Sequence, residues 1–230
     1  MNAAPAVRRA DEVPGRAVSP GVTAADMLTG DQGCHGLHQR RLGWAAGARH
    51  AGTAGGLGEA WYVITGTGLL DAERAGSIAL APGTAVWLEP GSGYACEGQD
   101  LEILAVTVQA GAPAGGPARP VVRLAECEPE TTGDREFRVL LSEGLTITQF
   151  AGLIPPGRAP EHHHTYDEVV HVLAGQGVVH LSGTDTPIGP GTSIYLPPLQ
   201  PHCLENTGTD PLRVLGVFYP AGSPAAKQAC

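Results

Sequence analysis

The chain has 230 residues, enough for one large or two small domains. Its formal net charge of -9 argues against a nucleic-acid or anionic-membrane surface. No apolar run approaches the roughly 20 residues that span a bilayer, and the start of the chain lacks a signal peptide's apolar core, so a cytoplasmic protein is expected.

Hydrophobic residues make up 42% but aromatics only 5%, and 33 glycines with 20 prolines punctuate the whole length. That composition suits many short strands joined by turns. Cys34, Cys96, Cys127, Cys203 and Cys230 are odd in number, scattered and without a C-x-x-C pair. They read as reduced thiols and not as a disulfide framework.

Residues 1–29 are rich in Ala, Pro and charge without sustained periodicity, and are expected to form a flexible arm. From 30 to 109, β-branched and aromatic runs separated by glycine turns predict strands at 61–65, 77–80, 85–88 and 101–108. Residues 110–120, AGAPAGGPARP, read as a linker. A second series occupies 121–220, with strands at 145–150, 169–173, 178–181, 193–196 and 212–218, before a tail at 221–230.

The two series repeat one another. EAWYVITGTG, from Glu59, aligns with EVVHVLAGQG, from Glu168, at an offset of 109 (59 to 168). Gly66 then falls on Gly175. The copies differ where chemistry is concerned.

In the second copy, His162 and His164 stand two apart, so on an extended strand both imidazoles point to one face. A short turn at Thr165, Tyr166 and Asp167 brings Glu168 beside them from the next strand. Two imidazoles and a carboxylate facing one cavity form a metal-ligand set. Further on, Gly191, Pro197, His202 and Asn206 mark turn, strand, proline turn and strand.

Together these stretches resemble the two motifs of the cupin superfamily. H-x-H-x3-E-x6-G is matched at His162, His164, Glu168 and Gly175, and G-x5-P-x-G-x2-H-x3-N at Gly191, Pro197, His202 and Asn206. The second motif's internal glycine is Leu199 here, which bears on the turn and not on ligation. The resemblance implies an all-β chain of two tandem cupin (jelly-roll) barrels. It further implies that His162, His164, Glu168 and His202 hold one divalent transition metal: iron, manganese, nickel, copper or zinc. The first copy has Thr53, Gly55 and Tyr94 in place of the three histidines and keeps Glu59 alone. His50 lies off register, so the first barrel is expected to be metal-free.

An open position on such a metal would act as a Lewis acid toward a small chelating substrate. Dioxygenase-type chemistry is the leading expectation. Isomerisation, cyclisation, decarboxylation or deamination at the same metal is the rival, and non-catalytic binding or sensing the third reading. A bicupin with a metal-free first barrel also resembles ureidoglycine aminohydrolases, although the ligand order here departs from theirs. Glu168 is expected as a base, with Tyr166 and Tyr195 as further catalytic candidates.

His180, Gln149 and Arg138 would reach the cavity only in a favourable register. His171 and Cys203 are expected to point away. Cys34, His35 and His38 match no zinc module. Pairing through exposed strands predicts a homodimer.

Overall fold

The computed structural model describes residues 4–111, 116–226 and 228–229. Residues 1–3 of the expected arm, 112–115 of the linker, and Lys227 and Cys230 of the tail lie outside the described residues. Helical structure among the described residues is confined to three 3-10 turns, Ala10–Glu12, Gly30–Gln32 and Leu124–Glu126. None is long or apolar enough to cross a membrane.

The expected all-β fold is found as two barrels. The first is a nine-stranded antiparallel sheet organised on the long strands Glu59–Ala72 and Gly93–Val108. Its interior is packed by Trp44, Trp61, Val63, Val86, Leu88, Leu101 and Ile103. The second barrel is built from two sheets. One contains Arg135–Leu141, Thr148–Ile154, Asp167–Ala174, Ser193–Leu196 and Leu212–Tyr219. The other contains His162–His163, Gly177–Leu181, Thr184–Ile188 and His202–Asn206. Val170, Val172, Val179, Ile194, Leu204 and Val214 fill the space between them.

Strand alternation ties the barrels together. Trp61 and Val63 point into the first barrel, while Ala60 and Tyr62 point out. In the second, Val170 and Val172 point in and Val169 points out. The outward residues meet in a shared core with Trp87, Leu104, Val106, Tyr195, Leu215 and Val217. Each large side chain buried there contributes about 1.5–3 kcal/mol.

Residues 4–29 do not form the expected arm. Ala6–Arg8 pairs with the second barrel's Ser193–Leu196 strand. Val22–Leu28 pairs with Leu37–Trp44 in the first barrel and buries Val22, Ala24, Met27 and Leu28. Small alanines gave this segment little visible periodicity, yet its backbone hydrogen bonds complete a sheet. Past the linker, Val121–Arg123 crosses in the opposite sense, pairing with the first barrel's Thr84–Leu88 strand. Each barrel thus receives an edge strand from the other's part of the chain.

The strand expected at 145–150 lies instead at Thr148–Ile154, although Leu145 and Ile147 still pack into the shared core. The repeated glycines have a steric cause. Gly66 and Gly175 have φ of +73° and +91°, and a Cβ on either would lie within 3 Å of a neighbouring strand's backbone.

Candidate metal centre

His162 and His202 face each other across paired strands, their ring centroids 4.4 Å apart. His164 completes a triangle at 5.0 Å from His162 and 5.3 Å from His202. The potential ligand atoms of the three lie within 4.8 Å of one another. Glu168 sits to one side, its Oε2 3.5 Å from His164 Nε2 and 3.9 Å from His202 Nε2. All four side chains are buried.

Each imidazole is held from behind. Nδ1 of His162 faces Pro160 O at 3.1 Å, that of His164 faces Ala226 O at 3.1 Å, and that of His202 faces Gln200 O at 2.9 Å. A carbonyl only accepts, so each Nδ1 carries the hydrogen and each Nε2 lone pair points toward the shared centre. Burial pulls His202 down to about 3, against the helping bond to Gln200, which keeps its ring neutral. Burial pushes Glu168 up to about 8, with Arg135 opposing the rise. Glu168 Oε2 has no hydrogen-bond partner. Three converging lone pairs and an unpartnered buried carboxylate oxygen are a donor set that fits a divalent cation.

The set opens on a cavity of about 70 Å³, walled by apolar side chains including Phe150, Ile154, Val170, Leu196 and Phe218. Arg135 is the one arginine or lysine in that wall. Its guanidinium donates to Leu204 O at 3.3 Å and is pulled below its usual value by burial. Sequence reasoning missed it. The alternation of Arg135, Glu136, Phe137 and Arg138 was the available signal, because Phe137 points inward and Arg135 shares its face.

Two candidate catalytic residues require correction. Tyr195 is absent from the cavity wall and lies in the shared core between the barrels, where its hydroxyl donates to Asp167 Oδ1 at 2.6 Å. It pairs with Val169, so it shares Val169's outward face. Tyr166 does not line the cavity either. Its ring stacks on His164 at 5.0 Å and 11°, and its hydroxyl donates to Ser223 O at 3.0 Å. It packs against His164 instead of lining the cavity.

His171 does turn away from the cavity, as parity requires, but toward the first barrel and not toward solvent. It is 2% exposed, with Nδ1 2.9 Å from Ser193 Oγ. Arg138 bonds Glu136 and Cys127 O, His180 lies between Asp185 and Glu205, and Gln149 has opposite parity to the inward Phe150. Cys203 donates to Ala159 O, outside the cavity wall. Cys34, His35 and His38 form no joint site: Cys34 is buried, and His38 pairs with Asp26 at 2.8 Å.

In the first barrel the equivalent carboxylate is spoken for. Glu59 accepts from Arg40 Nη2, Gly55 N and Trp61 Nε1. Among the described residues, His162, His164 and His202 are the one group of metal-ligand geometry.

A Cupin domain family model matches residues 151–218. The oxalate-binding protein of Thermotoga maritima is 34% identical over 111 residues, which cover 43% of this chain and 92% of that protein. The uncharacterized protein MJ1618 of Methanocaldococcus jannaschii is 38% identical over 80 residues, 34% of this chain and 64% of that one, so the chain spans less than two thirds of it. Protein YlbA of E. coli has a similar structure, with a TM-score of 0.79 at 17% identity, covering 95% of this chain and 92% of that one. Bacillus subtilis oxalate decarboxylase, which has Mn(II) centres, gives 0.77 at 16% identity over 97% and 78%. At such identities the two structures show a shared fold and no more.

Proposed function

The chain belongs to the cupin family, and on that premise we propose that its second barrel is a metal-dependent enzyme site for a small chelating carboxylic acid. The observation that carries this reading is Arg135 in the wall of a small apolar cavity that also holds His162, His164, His202 and Glu168. A divalent metal bound by those four residues would supply a Lewis-acid centre for an acid's chelating oxygens.

Arg135 presents its guanidinium to a carboxylate, a pairing its planar fork suits. The apolar wall excludes water and strengthens that contact. Glu168, whose Oε2 has no hydrogen-bond partner, would take up a proton only when released from the metal. Relatives named for oxalate support an acid of that size. The 34%-identical relative is named for binding oxalate, and oxygen consumption separates decarboxylation from the dioxygenase reaction expected from the ligand set.

The test is elemental analysis of purified protein with His162→Ala alongside, then incubation of the metal-loaded protein with oxalate and other small 2-oxygenated acids. Metal near one per chain, lost in the variant, with carbon dioxide released and no oxygen consumed, supports the reading. Turnover that consumes stoichiometric oxygen replaces decarboxylase by dioxygenase. Tight acid binding without turnover makes the chain a binding protein, and no metal after reconstitution ends the proposal.

A further inference from the structure

The three histidines differ in what holds them. Nδ1 of His162 and Nδ1 of His202 each face a carbonyl two residues earlier. His164 is fixed by Ala226 O, 62 residues away in the chain. The segment that carries Ala226 passes beside the cavity of the second barrel. It leaves the Leu212–Tyr219 strand, anchors Gly222 N on Thr148 Oγ1 at 3.2 Å, and places Pro224 in the cavity wall. A turn closed by Ala226 N on Ser223 O follows, and then Gln228–Ala229 pairs with His162–His163. Tyr166 locks the crossing, with its ring on His164 and its hydroxyl on Ser223 O.

We infer that residues 221–226 are a strap that completes the metal centre, orienting His164 through the Ala226 carbonyl and lining the cavity with Pro224. The inference rests on the reading that the cluster holds a metal. Ala226 O fixes the hydrogen of His164 on Nδ1 and thereby the aim of Nε2. Partners of this kind change metal affinity about 10–100-fold when lost. Residue 222 must be glycine for the strap to seat, because a Cβ there would lie 2.4 Å from the Tyr166 ring.

Full-length Gly222→Leu and Ala226→Pro variants, the second removing the turn's N–H, are titrated with Co(II) alongside wild type. The readouts are dissociation constant, the visible absorption of bound Co(II) and the melting temperature without metal. The strap predicts Co(II) binding about 10–100-fold weaker in both variants, with an altered absorption band. Tyr166→Phe, which keeps the stacked ring and loses only the hydroxyl, should weaken binding several-fold, and it decides the question if the other two do not fold. Wild-type affinity and an unchanged band in the folded variants overturn the strap alone. Absence of Co(II) binding by wild type overturns the metal reading and the strap together.

Discussion

In the first barrel, Arg40 Nη2 lies 2.9 Å from Glu59 Oε1, and Glu59 is the residue that the internal repeat aligns with Glu168. One barrel therefore meets its buried carboxylate with a guanidinium, and the other with a ring of imidazoles fit for a cation. Arg40→Met would strand a carboxylate that is 3% exposed, leaving it only Gly55 N and Trp61 Nε1. A loss of about 2–3 kcal/mol is expected in urea unfolding, below the value for a fully buried pair because Arg40 is partly exposed. The double variant Arg40→Met, Glu59→Gln should recover most of it. Neither should alter the metal content, which is assigned to the second barrel.

Arg135 offers a separate handle on substrate. Arg135→Met keeps the apolar stem and removes the charge. It should raise KM for a small carboxylic acid about 10–100-fold, the range for a lost charged hydrogen bond, with metal content unchanged. Equal KM in variant and wild type would take Arg135 out of substrate binding.

Leu199 stands where the family motif has glycine. Its φ is +65° and its side chain is 57% exposed, so it bears left-handed strain without compensating burial. Its N–H donates to His164 O at 2.7 Å, which keeps the turn in place. Leu199→Gly should stabilise the protein by about 0.5–1 kcal/mol, the left-handed cost less the entropy glycine adds to the unfolded chain. Chemical denaturation reads this directly.

His171 gives the protein a pH dependence apart from the candidate metal centre. Burial, assisted by Arg41, pulls it down to about 3, against 6.5 for a free imidazole. Between those values the unfolded chain binds a proton that the folded chain refuses. Its contribution to stability is therefore whole above pH 6.5 and declines as pH falls toward 3. Urea unfolding at pH 7.5, 6 and 5 should show a steeper loss in wild type than in His171→Gln. Parallel profiles would mean that His171 takes up its proton as readily in the fold as in the unfolded chain.

The candidate ligand cluster was legible because its spacing carries into geometry: His162 opens a short strand, His164 follows just past its end, and Glu168 lies at the start of the next strand. The paired glycines at 66 and 175 were legible for a similar reason, since each sits where a side chain would strike a neighbouring strand. The facing of Tyr195 was not. Ser193, Ile194, Tyr195 and Leu196 are all buried, because their sheet is covered on both sides, and a strand of that kind shows no alternation. The strand at Val22–Leu28 stayed hidden because alanine marks a buried position weakly. Arg135 was obscured by the small number of apolar residues around it.

The reciprocal crossing of Ala6–Arg8 and Val121–Arg123 means that the two repeats are not separable modules. Severing the chain between them leaves one half carrying a strand whose sheet is elsewhere, and missing the strand that capped its own edge at Thr84–Leu88. The other half has a bare edge at Ser193–Leu196. Halves produced alone should aggregate or stay unfolded, whereas co-expressed halves should reassemble. The same interlock provides a route to intertwined dimers, in which the crossing segments of one copy dock on the vacated edges of another.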